Sequence, residues 1–186
     1  MQINNISNLN NGDIIIFYKT YGCFNITFKS TISKIGLILI NPKYIDDKFD
    51  KGVYVLEGTH DSDKKINTKI TLLNSIINEN KDNKIYIRKL YSFQQFPYNI
   101  LKDTINLLNN NDSDMNIFDW SESLIQTKLR QYNDSINAPL LAYIYIKLGY
   151  LNKLTSWALI TSQDWTKKDF DLKLNNCNIG ILQKIN

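Results

Sequence analysis

Few side chains in this sequence are of a type that performs covalent chemistry: two cysteines, Cys23 and Cys177, and a single histidine, His60. A nucleophilic thiolate needs a base to take its proton and a cationic or helix-terminal setting to hold its charge. Cys23 stands in YGCFN beside an aromatic cluster and Cys177 in NNCN, which reads as a polar loop. His60 falls in the turn-like GTHDSD, the setting of a solvated loop imidazole. Neither cysteine has CxxC or Cys/His spacing, so no metal site and no cofactor is expected, and two cysteines are too few for a disulfide framework. A different chemistry is offered by Lys34, set between a serine and the apolar run IGLILI, and by Glu57, which ends another apolar run. An ammonium and a carboxylate on neighbouring strands can pair, or the lysine can extend along the sheet edge to solvent. The aromatics of YSFQQFPYN can form a ligand platform or close a core beneath a loop.

One compact unit has to position these groups. With 186 residues, 43% of them hydrophobic and 12% aromatic, the chain can bury a sizeable core and reads as one domain over 1–186. Its net charge of +4, from 22 basic and 18 acidic residues, is scattered without Lys/Arg runs, which argues against a nucleic-acid partner. The opening MQINNISNLNNGD lacks the basic and apolar regions of a signal peptide, and no run approaches the ~18 apolar residues of a membrane span. A soluble, intracellular protein with no membrane span is the expectation.

GDIIIFY (Gly12 to Tyr18), KIGLILI (Lys34 to Ile40) and GVYVLEG (Gly52 to Gly58) are β-branched runs bounded by turn residues, which predicts buried strands. NKIYIRKL (Asn83 to Leu90) alternates Ile85 and Ile87 with Tyr86 and Arg88, the period of a half-exposed strand. After Pro97, Ile100, Leu101, Ile105, Leu107 and Leu108 recur near helical spacing, and NNNDSD closes that segment as a polar loop. Trp120 to Gln131 and Ala138 to Gly149 predict two further helices. The second is apolar on nearly all sides and ends at Gly149, so it is predicted to be the central core helix. TSQDW predicts a turn and a helical N-cap, and Ile179 to Ile185 a closing strand. The fold class is α+β, an antiparallel sheet packed against a central helix and further helices.

Taken in order, GDIIIFY, SKIGLIL, YVLEG, NAPLLAYIYIKLGYL and WALITSQDW resemble the circularly permuted papain-like amidases of the NlpC superfamily, the branch that includes YiiX-like bacterial proteins and poxviral and giant-virus relatives. The resemblance spans about the whole chain and rests on the order and spacing of short motifs. It implies a papain-like fold in which the family's histidine falls on Lys34, its orienting carboxylate on Glu57 and its nucleophilic cysteine on Asn137. Only the carboxylate is kept. An amide is no nucleophile, and a lysine with an ordinary pKa of ~10.4 is a poor base near neutral pH. The resemblance therefore implies an inactive homologue serving as a binding or structural module, with a viral or host protein as partner and a cytoplasmic or virion setting. The competing reading is an active cysteine hydrolase on amide or ester substrates, with Cys23 or Cys177 as a displaced nucleophile and His60 as base. Lys34, Glu57 and Asn137 are expected to meet in space, with Asn137 capping its own helix and removal of Glu57 alone costing more than removal of the Lys34–Glu57 pair.

Overall fold

The computed structural model describes residues 8–20, 30–60, 66–110, 136–167 and 172–185. Six strands make one antiparallel sheet: β1 (Ile14–Thr20), β2 (Ser30–Ile40), β3 (Val53–His60), β4 (Ile66–Leu72), β5 (Lys84–Ser92) and β6 (Cys177–Lys184). They are ordered β4-β3-β2-β1-β5-β6. Three α-helices stand among the described residues: α1 (Leu73–Glu79), α2 (Tyr98–Asn109) and α3 (Asn137–Lys147). The fold is α+β, as the sequence pattern predicts. The helix expected over Trp120 to Gln131 lies outside the described residues.

Side chains alternate across a strand, so each strand supplies two faces. One face, bearing Ile14, Ile16, Ile35, Leu37, Leu39 and Leu56, packs against α2 and α3. Eight consecutive residues of α3, Ala138 to Tyr145, are buried, which makes it the core helix. The other face, bearing Ile15, Phe17, Ile38, Val55, Ile85 and Ile87, packs against Leu73, Ile76 and Ile77 of α1. That short helix carries the chain beneath the sheet from its β4 edge back to β5, which pairs with β1. With both faces covered, β1 and the outer half of β2 read as continuous apolar runs.

The start of β1 ties these layers together. Gly12 donates its N–H to the Ile38 carbonyl at 3.0 Å, and the Tyr145 hydroxyl of α3 donates to the Gly12 carbonyl at 2.6 Å. The fully buried Asp13 carboxylate accepts the backbone N–H of Asn10 at 2.8 Å and of Leu90 at 2.9 Å, and it pairs with Lys89 Nζ at 2.8 Å. Helix α3 ends as predicted, with Gly149 in the left-handed region at φ 79.

Several local expectations differ from the structure. The segment Ile66–Glu79 forms β4 and α1, which the sequence pattern did not single out, because Asn67, Thr68 and Lys69 break the apolar run. TSQDW forms a turn closed by Asp164 Oδ2, which accepts the Thr161 N–H at 2.8 Å and its hydroxyl at 2.7 Å; no α-helix follows within the described residues. NNCN leads into β6 with Cys177 alone buried, and GTHDSD begins on β3, where His60 pairs with Ile66.

Gly36 lies tightly against β3: a Cβ there would sit 2.4 Å from Val55 Cγ1 and 3.1 Å from the Leu56 carbonyl oxygen. Gly36→Ala should therefore destabilise the fold by about 1–3 kcal/mol through overpacking. Urea unfolding followed by circular dichroism checks this, and an unchanged midpoint would show that the two strands separate freely.

Candidate functional site

Lys34 and Glu57 do meet. Lys34 Nζ lies 3.0 Å from Glu57 Oε1, with Glu57 6% exposed and Lys34 26% exposed. The approach is an ion pair without hydrogen-bond alignment, since Oε1 has no partner at bonding angles among the described residues. The register explains how the two groups come together. β2 carries a bulge: Ile32 pairs with Tyr18 and Lys34 with Phe17, which leaves Ser33 as the extra residue. Ser33 Oγ donates to the Phe17 carbonyl at 3.1 Å, and Asn83 Nδ2 donates to Ser33 Oγ at 3.2 Å. Beyond the bulge Ile35 faces α3, so Lys34 faces α1 together with Phe17, Gly36 and Ile38. Glu57 shares that face: a Cβ on Gly36 would meet both Val55 and the Glu57 Cγ.

Asn137 is on the opposite face. It is the first residue of α3, inside the helix, and the N-cap position is held by Ile136. Instead Oδ1 accepts the Gly58 N–H at 2.6 Å. A Cβ on Gly58 would come within 2.9 Å of Leu140 Cδ2 and 3.3 Å of Asn137 Oδ1, so the glycine lets the helix terminus approach the strand closely. The expectation that Asn137 caps its own helix is thus corrected. The oxygen is spent on β3, at the residue next to Glu57. The bond to Gly58 brings Asn137 beside Glu57 on β3, but the sheet separates Asn137 from the Lys34–Glu57 pair, and no single groove holds all three side chains.

Burial pushes the Glu57 carboxyl above its usual range, with Lys34 acting in the opposite direction. Asp13 is raised for the same reason, burial outweighing its bonds from Lys89, Asn10 and Leu90. The sequence pattern does not announce this second buried acid–lysine pair. Its only signal is a charged residue next to the buried run Ile14 to Phe17. Cys177 is buried, its thiol donates toward the Tyr150 carbonyl at 3.6 Å, and burial pushes its pKa up to about 11. Cys23 and the His60 imidazole lie outside the described residues. Of the aromatics in YSFQQFPYN, Phe96 and Tyr98 join Tyr44 and Tyr150 in a cluster, with Tyr98 edge-on to both Tyr44 and Phe96 and Phe96 tilted against Tyr150. Tyr91 and Phe93 stand exposed.

A cavity of about 160 Å³ opens on the α1 face, with Leu9, Ile87, Tyr91 and Ile185 as apolar walls and Asn8, Lys89 and Gln183 as polar ones. It lies over β5 and β6, with β1 between it and Lys34. Among the described residues no group of His, Cys, Asp or Glu could hold a metal ion, and no helix is long and apolar enough to cross a membrane. Comparison with family models, with curated proteins and with solved structures returns no match.

Two predictions follow from the geometry of the pair. Because Glu57 is the more buried partner, removing Lys34 strands a charge at greater cost than the reverse. Lys34→Met should lose more stability than Lys34→Met/Glu57→Gln, with a coupling of about 1–3 kcal/mol. The same cycle checks the expectation drawn from sequence, that removal of Glu57 alone costs more than removal of the pair. Additive losses in a chemical-denaturation cycle would show that the pair contributes nothing. The second concerns pH. A carboxyl whose folded pKa is raised binds more protons folded than unfolded, so its contribution is largest below the ordinary glutamate pKa of ~4.3 and is lost as pH rises through the folded value. The melting temperature of Glu57→Gln should therefore gain on the wild type as pH is raised from about 4 to 7. A constant difference would place the titration elsewhere.

Proposed function

We propose that this chain is a catalytically silent homologue of the permuted papain-like amidases, kept as a binding or structural module for a protein partner of viral or host origin. The fold part of this reading rests on the order of the motifs: GDIIIFY, SKIGLIL and YVLEG lie on the successive neighbours β1, β2 and β3, and NAPLLAYIYIK forms the buried helix across them. One observation carries the functional part. The positions matched to nucleophile, base and orienting acid are occupied by groups that hold the structure together, with Asn137 clamping Gly58 on one face of the sheet and Lys34 pairing with Glu57 on the other. Papain-like chemistry needs the thiolate, imidazole and orienting group within hydrogen-bond reach of one another. Residues divided between two covered faces do not meet that requirement. The hydrolase alternative gains nothing from Cys177, whose thiol is protonated at neutral pH and enclosed by the core.

The test restores the family's residues. Wild type and the double variant Asn137→Cys/Lys34→His are offered model amide and acyl-ester substrates, and each protein is weighed intact by mass spectrometry. Both should turn over no substrate above background and carry no acyl adduct. An adduct on Cys23 or Cys177 of the wild type would establish the displaced-nucleophile enzyme. Turnover by the double variant alone would show that positions 34 and 137 still converge on one site.

A further inference from the structure

β6 is the last strand in the sheet order, and among the described residues no strand borders its outer side. An open edge presents unpaired backbone donors and acceptors, which proteins blunt with proline, lysine or a bulge. β6 has no proline, one lysine at its end, Lys184, and a bulge in which Gly180 and Ile181 both oppose Lys89. Around this edge stand three of the most exposed large apolar side chains of the described fold: Ile181 at 70%, Tyr91 at 53% and Phe93 at 75%. Tyr91 lies against Gly180, where an added Cβ would come within 3.0 Å of its ring.

The sequence of β6, CNIGILQK, is close to a palindrome in chemical character. Reversed and laid antiparallel against itself about its centre, it sets Ile179 opposite Leu182, Asn178 opposite Gln183 and Gly180 opposite Ile181. Apolar residues meet apolar ones and amides meet amides. The faces also agree. Ile179 and Leu182 both pack toward the α3 side, while Asn178 and Gln183 pair with Tyr91 and Ile87 on the α1 side. Residues of one copy thus meet partners pointing the same way, as a two-fold axis normal to the sheet requires. The bulge, two residues against one on the β5 side, becomes two against two across the axis. Lys184, the one charge on the strand, is carried to the uncharged start of the other copy, so no like charges oppose.

We propose that β6 is a self-association edge through which a second copy of this chain extends the sheet to twelve strands, Ile179 facing the partner's Leu182 and Asn178 facing the partner's Gln183. The pairing covers Ile181 of both copies near the axis. It is independent of whether the papain-like positions are silent, and its failure would leave that reading untouched.

The test uses full-length protein and sedimentation velocity over a range of concentrations, with hydrogen exchange read at the β6 amides. Wild type should dimerise, and β6 amides should gain protection with concentration. Ile181→Lys, at a position already exposed, should keep the melting temperature and weaken the dimer at least tenfold, because the symmetric interface carries each change twice. Leu154→Lys, at another exposed position, should leave association unchanged. The register is tested by charge: Asn178→Lys/Gln183→Lys opposes like charges across the axis and should dissociate the dimer, whereas Asn178→Lys/Gln183→Glu opposes unlike charges and should retain it. A protein that stays monomeric, a dimer indifferent to Ile181→Lys, or equal behaviour of the two charge variants would each overturn the proposal.

Discussion

A β-strand distributes its residues between two sides with a period of two, and in this protein the central strands are covered by helices on both sides. That constraint decides where every chemically interesting group goes. α3 with α2 claims one face and α1 the other, so a one-residue change of phase moves a side chain from one buried environment to the opposite one. The bulge at Ser33 sets that phase on β2, placing Ile35 under α3 and Lys34 over α1. Glu57 follows because its strand neighbours Leu56 and Gly58 face α3. What could have been an acid and a cation lining a groove at the mouth of α3 becomes an internal tie on the far side of the sheet.

The same constraint separates what the sequence discloses from what it conceals. Runs such as Ile14 to Phe17 and Gly36 to Ile40 declare strands because burial on both faces demands apolar residues at successive positions, and Ala138 to Tyr145 declares a core helix for the same reason. The meeting of Lys34 with Glu57 is also legible, since strand ends that flank apolar runs lie near one another in a meander. Which face the pair occupies is not. It depends on one unpaired residue, Ser33, whose sequence surroundings look like ordinary strand. Asn137 was legible as the entry to α3, but its bond to Gly58 depends on how closely the helix terminus meets β3, and that is fixed by packing at Leu140 and Ile136. Cys177 is concealed because NNCN has the composition of a loop, while Asn176, at φ 51, turns the chain directly into β6.

Burial gives the two acid–lysine pairs different characters. Asp13 is saturated: two backbone donors and Lys89 surround its oxygens, and Lys89 also donates to the Asn8 carbonyl, so the pair works as a fastener for the segment leading into β1. Glu57 is drawn by two cations, Lys34 at 3.0 Å and Lys69 opposite it on β4, and keeps a carboxylate oxygen with no hydrogen-bond partner within the described residues. A buried pair of this second kind contributes little net stability, because desolvation offsets the attraction, but it penalises arrangements that leave either charge alone. It therefore acts on the choice of register between β2 and β3 more than on the depth of the native state.

The strand order sets how the chain reaches this state. β1, β2, β3 and β4 are sequential neighbours, four strands joined by local hairpins whose contacts form between nearby residues. β5 has to find β1 at the sheet's centre, and the Asp13 carboxylate that receives Leu90 is separated from it by 77 residues; the Tyr145 hydroxyl reaches Gly12 across 133. Closing such loops costs entropy before any contact repays it. During synthesis the meander thus emerges with its inner edge, β1, unpaired until the chain through β5 has been made. For that interval Ile14 to Phe17 form the edge of a sheet rather than its middle, and the half-built protein is at its most exposed to chaperones and to other nascent copies.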